Sequence, residues 1–219
     1  MEIRDGGLRY IIRNNEALVI SSDGITPKHL SIPEQIKGFP VTEIFQYAFQ
    51  HSIIETVSIP DSVTKIGTGA FFFSESLQGV NILYNMHKKN KILVIEQLAF
   101  CACNQLSTFI VPDTILDLKD RVFVDCVNLH QLSGKIRMCE TGALYNCTHL
   151  EKVVFADGAD IKYNALGRNY NLQTIEFRGQ TTIDENILKY IISNCKIFCT
   201  QTSNIADLAY EGYEIKIVR

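Results

Sequence analysis

Seven cysteines are the residues of this chain best equipped for chemistry, at positions 101, 103, 126, 139, 147, 195 and 199. A thiolate is both a nucleophile and a soft metal ligand, so the spacing of these cysteines bears on either role. Cys101 and Cys103 form only a CxC, and no second pair stands at zinc-binding spacing, so no metal site is expected. Cys195 and Cys199 do not match the CxxC of a redox pair. An odd count leaves at least one thiol unpaired in a monomer, and reduced thiols are the simpler reading.

A nucleophilic enzyme also needs a base within hydrogen-bond reach, itself oriented by a third group. His29, His51, His87, His130 and His149 share no common spacing with the cysteines or with one another. The expectation is therefore no catalytic residue, no cofactor and no metal. Gly67 and Gly69 begin a phosphate-loop pattern, but Phe72 stands where the third glycine belongs, which favours a turn. Asn146, Cys147 and Thr148 satisfy the glycosylation triplet, a short pattern common by chance. Lys88, Lys89 and Lys91 form a basic tip that reads as a solvated loop.

The elements that carry these residues follow a repeat. A small or aliphatic anchor recurs at Ala48, Ala70, Ala99, Val122, Ala143, Ala165 and Ile187, with intervals of 22, 29, 23, 21, 22 and 22 residues. Four residues before each anchor stand Ile44, Ile66, Ile95, Leu118, Cys139, Ile161 and Ile183, and directly after it Phe49, Phe71, Phe100, Phe123, Leu144, Leu166 and Leu188. Cys103, Cys126 and Cys147 lie four after their anchors, where a small, semi-apolar side chain suits a repeated core position. A fixed period near 22 residues is the signature of a solenoid, in which each coil buries its apolar face against the next.

Seven after the anchor come Leu77, Leu106, Leu129, Leu150 and Leu172, with Ile54 in the first coil and Asn194 in the last. Pairs such as Val80 with Ile82, Phe109 with Val111, and Val153 with Phe155 then alternate with period two, the mark of a half-buried strand. Each such strand is expected to pair in parallel with its equivalent one coil on, so that seven coils span about 34 Å. The 29-residue interval holds an insertion over residues 83–91 that should bulge from its coil. Caps are expected at both ends: strands around Arg13, Asn14 and Asn15, and a short helix from Ser203 to Gly212 followed by a strand through Ile215 and Ile217. The chain then divides as a cap and lead-in over 1–40, coils over 41–200 and a helix-strand cap over 201–219, all in one domain.

With 24 acidic and 21 basic residues the net charge is -3, which offers no field for nucleic acid. No stretch approaches the length of about 18 apolar residues that membrane insertion requires. Residues 1–30 carry no apolar run behind a basic start, which reads as an unexported, cytoplasmic chain.

The columns resemble those of the BspA-like leucine-rich repeat family. Ile59, Pro60, Asp61, Ser62, Val63, Thr64, Lys65, Ile66 and Gly67, then Ala70, Phe71, Ser74, Leu77 and Val80, follow its coil almost letter for letter, and Ile32, Pro33, Ile36, Gly38, Pro40, Val41 and Thr42 look like its approach to the first coil. Departures are Gly134 for an aliphatic strand residue, Cys139 for the usual isoleucine and Asn169 in the cysteine column. The resemblance implies an α/β repeat, mostly β: a capped leucine-rich-repeat solenoid of about seven coils. It also implies a non-enzymatic recognition scaffold, often displayed at a cell surface and associated with adhesion.

Within each strand the residue between the two buried positions must face solvent. That column reads Ser58, Asn81, Ile110, Ser133, Val154, Glu176 and Phe198, with Thr56, Gly79, Thr108, Gln131, Lys152, Thr174 and Lys196 two residues earlier. Phe198 is expected beneath the terminal cap. Ile110 and Val154 are apolar where solvent is expected, which suggests a protein contact face comprising Ile110, Gln131, Ser133, Lys152, Val154 and Glu176. Against this stands the general preference of β-branched residues for strands. The other readings are a structural spacer or display module, which needs no apolar patch, and an enzyme, which needs clustered His, Cys and acidic side chains in one pocket.

Overall fold

A computed structural model describes residues 1–24, 26–83, 92–112, 114–183, 187, 195–200 and 214–218. The helix expected from Ser203 to Gly212, the basic tip at Lys88, Lys89 and Lys91, and Leu188 and Asn194 fall outside these residues.

The equivalent aromatics of successive coils lie on one another. Phe49 stacks on Phe71 with centroids 5.3 Å apart, Phe71 on Phe100 at 5.1 Å and Phe100 on Phe123 at 5.3 Å, the last two pairs within 9° of parallel. Phe109 meets the edges of this row, lying 5.3 Å from Phe100 and 5.2 Å from Phe123. Each ring is buried, and such pairs add about 0.5–1.5 kcal/mol beyond the area they remove from water. Leu144 and Leu166 continue the row, buried in the same core.

Two parallel strand ladders run along the solenoid. The expected one contains His29–Ser31, Thr56–Ile59, Gly79–Ile82, Thr108–Ile110 and Gln131–Leu132, paired in that order. It resumes with the first part of Lys152–Ile161, then Thr174–Phe177, Lys196–Thr200 and Glu214–Val218. A second ladder passes through the column four before the anchor, from Phe39–Ile44 through Lys65–Ile66, Ile92–Ile95, Ile115–Leu118 and Lys135–Cys139 to the strand over residues 159–161 and Thr181–Ile183. Its strands shrink to two residues at Lys65–Ile66, too short to leave an alternating pattern. Where Asp117 is buried in this ladder, Arg137 clamps it through Nε at 2.9 Å and through a second, shorter contact from the other end of the guanidinium.

Between the ladders the chain makes turns, and among the described residues every regular element is a strand. The helical component expected of an α/β repeat is therefore not found there. The reason is conformational. The residue before each anchor (Tyr47, Gly69, Leu98, Arg121, Gly142 and Asn164) and the residue three after it (His51, Phe73, Ala102, Asp125, Asn146 and Arg168) all have φ between 53° and 64°. A left-handed residue every fourth position ends any right-handed helix. The turns stack instead, with Phe71 N–H donating to Ala99 O at 2.8 Å, Phe100 N–H to Val122 O at 2.9 Å and Phe123 N–H to Ala143 O at 2.8 Å. Gly67 serves a close approach of this kind, since a Cβ there would lie 2.7 Å from Gln46 N.

At the N-terminus Glu2–Asp5, Leu8–Arg13 and Glu16–Ser22 form an antiparallel sheet, one strand more than expected, which joins the second ladder through Phe39–Ile44. Asn14 and Asn15, both left-handed, make the two-residue hairpin turn.

Candidate functional site

The cysteine column has a chemical reason beyond size. Cys103 Sγ donates to Phe71 O at 3.1 Å, Cys126 Sγ to Phe100 O at 3.0 Å and Cys147 Sγ to Phe123 O at 3.2 Å. Where the column holds no cysteine it holds another donor: Ser74 Oγ reaches Phe49 O at 2.8 Å, and Asn169 Nδ2 reaches Leu144 O at 2.9 Å. The position therefore selects a buried donor rather than only a small filler. All seven cysteines are free and buried. Burial pushes the thiols of Cys101 and Cys195 up to about 11 and those of Cys103, Cys126, Cys139 and Cys147 higher still, the opposite of nucleophile activation. Cys195 and Cys199 face the core beside Ile197, as the strand period requires.

The strand face is where the sequence points to recognition. Gln131 and Lys152 are exposed, whereas Ile110, Ser133, Val154 and Glu176 are half-buried. Ile110 and Val154 therefore face outward with part of their surface covered. Strands stacked about 4.8 Å apart screen one another's outward side chains. Phe198 is likewise half-buried. Ser133 Oγ is engaged, accepting Val111 N–H at 2.7 Å. Glu176 is bracketed by Arg178 Nε at 2.7 Å and Lys152 Nζ at 3.2 Å. Burial alone would raise its carboxyl, but the bonds from Arg178 and Lys152 outweigh it and hold the group below the usual range.

One junction in this ladder differs from the rest. At five junctions two successive N–H groups converge on one carbonyl of the preceding strand or its lead-in: Glu55 and Thr56 on Lys28 O, Gln78 and Gly79 on Glu55 O, Ser107 and Thr108 on Gln78 O, His130 and Gln131 on Ser107 O, and Gln173 and Thr174 on Glu151 O; further on, Lys196 N–H reaches Gln173 O. The equivalent bonds from Glu151 and Lys152 to His130 O are not made, and Gln131–Leu132 is the edge of its sheet. Gly134 explains the break. It takes φ 106°, and a Cβ there would lie 2.8 Å from Val111 Cγ2, so the strand ends after Leu132, where its equivalents continue one residue further at Thr108–Ile110 and two at Gly79–Ile82 and Thr174–Phe177. Across the gap Phe155 registers with Ile136 of the other ladder.

The parted strands leave a cleft of about 440 Å3. Gln131, Ser133 and Lys135 line it from one strand and its continuation, and Lys152, Val154 and Arg178 from the coils beyond, with His130 and Glu151 also on the lining. Four of the six residues expected in a contact face thus converge here, while Ile110 and Glu176 lie outside the lining. A polar groove continues from His130 and Glu151 past Gln105, Asn128, His149 and Asn171. Its amides are fixed in series, Asn128 Nδ2 to Asn104 O at 2.7 Å and Asn171 Nδ2 to Thr148 O at 2.8 Å.

Lys135, Glu151 and Arg178 do not stand out in the sequence, where His130 figures only as a candidate base without a partner; the one signal for this place was the glycine in an aliphatic strand column. Also unforeseen are Tyr47, Phe73, Tyr163 and Tyr170, which stand exposed on or beside the turns. Among the described residues no three His, Cys, Asp or Glu side chains converge to hold a metal.

The family described as BspA type Leucine rich repeat region matches this chain in six copies, over residues 42–88 and 83–198. No curated protein matches it in sequence. A leucine-rich repeat protein of Treponema pallidum superposes with TM-score 0.55 at 18% identity, over 100% of this chain and 99% of its own. One from Bacteroides ovatus gives 0.50 at 15% identity, covering 99% of this chain and 76% of that one. A third, from Bacteroides capillosus, is 26% identical over 52% of this chain and 91% of its own, with TM-score 0.43. The first two agree with the fold described above.

Proposed function

This chain belongs to the BspA-type leucine-rich repeat family, and from that premise we propose that it is a non-enzymatic scaffold that binds a protein partner through the outward face of its strand ladder. Adhesion is the setting in which such a scaffold would work. The observation that carries the reading is the convergence of Gln131, Ser133, Lys152 and Val154 on one cleft, with half-buried apolar side chains framed by charged and amide groups. An apolar centre with a polar rim is the composition of a recognition surface. The deep burial and raised titration of the thiols also favour recognition over catalysis.

Site-specific photocrosslinkers at Gln131 and Lys152, with a third at the exposed Tyr163 away from the face, test the reading on the intact chain. A bound protein should crosslink from positions 131 and 152 and not from 163. Crosslinking that is equal at all three positions, or confined to 163, would overturn it.

A further inference from the structure

We infer that the cleft between the fourth and fifth coils receives an extended, acidic segment of a partner protein, a conclusion that rests on the strand face being a protein-binding surface. The walls present complementary backbone chemistry. Glu151 and Lys152 offer two N–H groups and His130 offers a carbonyl, the set that every neighbouring junction uses to join two strands. Gln131–Leu132 and Lys152–Ile161 stay too close for a strand between them, so a peptide lies over the opening with its carbonyls toward the paired N–H groups.

The side chains around the opening choose the sign of the guest. Lys135, Lys152 and Arg178 line the cleft, against Glu151 on the lining and Glu176 beside it. Counting these five charged groups leaves a surplus of one positive charge, on a chain whose net charge is -3. Cations beside unpaired N–H groups favour carboxylates. In an extended segment alternate side chains point the same way, so acidic residues two apart would meet Lys135 and Lys152 while intervening apolar residues meet Val154 and the stem of Arg178.

The test uses the full chain and a fluorescein-labelled peptide of about eight residues alternating Asp and Val, compared with the same peptide carrying Lys for Asp. The acidic peptide should bind and the basic one should not. On binding, the backbone amide resonances of Glu151 and Lys152 should shift, and added salt should weaken the complex. Lys135→Glu combined with Lys152→Glu should weaken it about tenfold. Lys135→Gln with Lys152→Gln, a milder pair that keeps the stems, should give a smaller loss in the same direction. Equal binding of both peptides, or binding with the Glu151 and Lys152 amides unmoved, overturns the inference. If a protein crosslinks at positions 131 and 152 while those amides stay still, this inference falls and the wider reading stands. If no protein crosslinks anywhere on the strand face, the wider reading falls with it.

Discussion

Replacing Cys126 by serine, alanine and valine separates two accounts of the cysteine column. Cys126 is fully buried, with Sγ 3.0 Å from Phe100 O. That carbonyl also accepts Cys103 N–H at 3.2 Å, so loss of the thiol leaves it half-served rather than orphaned. Alanine removes a weak S–H donor and one buried heavy atom, for a cost of about 2 kcal/mol. Serine loses the apolar sulfur but gains a stronger donor, and Ser74 already shows a hydroxyl serving this position at 2.8 Å. Its cost should stay below about 1 kcal/mol. Valine keeps apolar character, lacks the donor and overfills the site, for about 1–3 kcal/mol. Urea unfolding monitored by circular dichroism gives the order, and each kcal/mol should move Tm by about 2–4 °C in a chain of this size. A serine variant no more stable than the alanine variant would show that the column needs only an oily filler. Asn169→Cys probes the same logic in reverse. Asn169 Oδ1 is buried with no hydrogen-bond partner among the described residues, but Nδ2 donates to both Leu144 O and Leu166 O at 2.9 Å, so gain and loss offset and stability should change by less than about 1 kcal/mol.

Arg121 is exposed and left-handed at φ 54°, in a column where Gly69 and Gly142 already stand; Arg121→Gly should raise Tm by about 2–4 °C, and a fall would refute the strain argument. Native thiols should resist iodoacetamide at pH 8 and react after unfolding, since burial raises every one of them, Cys101 and Cys195 to about 11; rapid native labelling of Cys126 would contradict the packing. Glu176 is depressed, so its contribution is present above its unfolded-state pKa and is lost as pH falls through the lower folded value. Glu176→Gln should therefore cost less than about 1 kcal/mol at pH 7, the group being partly solvated, and progressively less as pH falls through the depressed folded value. A cost that does not shrink on acidification would remove Lys152 and Arg178 as the cause.

The sequence made the stacked core legible because each coil repeats the demand to bury the same position. Phe71, Phe100 and Phe123, one column in the alignment, are one row in space. Periodicity reports burial and little else. It did not reveal that Leu98 or Tyr47 is left-handed, since neither is the glycine such a turn usually takes. Nor did it expose the second ladder at Lys65–Ile66, where two residues carry no period. The donor role of Cys126 was hidden because cysteine is common in cores for its apolar character alone. The contact face was legible as a column, but its convergence on a cleft was not, because the opening depends on unmade bonds at Glu151 and Lys152 and on the backbone of Gly134.

That unequal stitching has a mechanical consequence. Between the fourth and fifth windings one seam stays sewn, through Ile115–Leu118, Lys135–Cys139 and the strand beyond, while the facing seam is undone. The stacked turns still tie these windings, with Arg121 N–H on Thr141 O, Phe123 N–H on Ala143 O and Asp125 N–H on Tyr145 O, so the opening is a local slit in a rod held on its other sides.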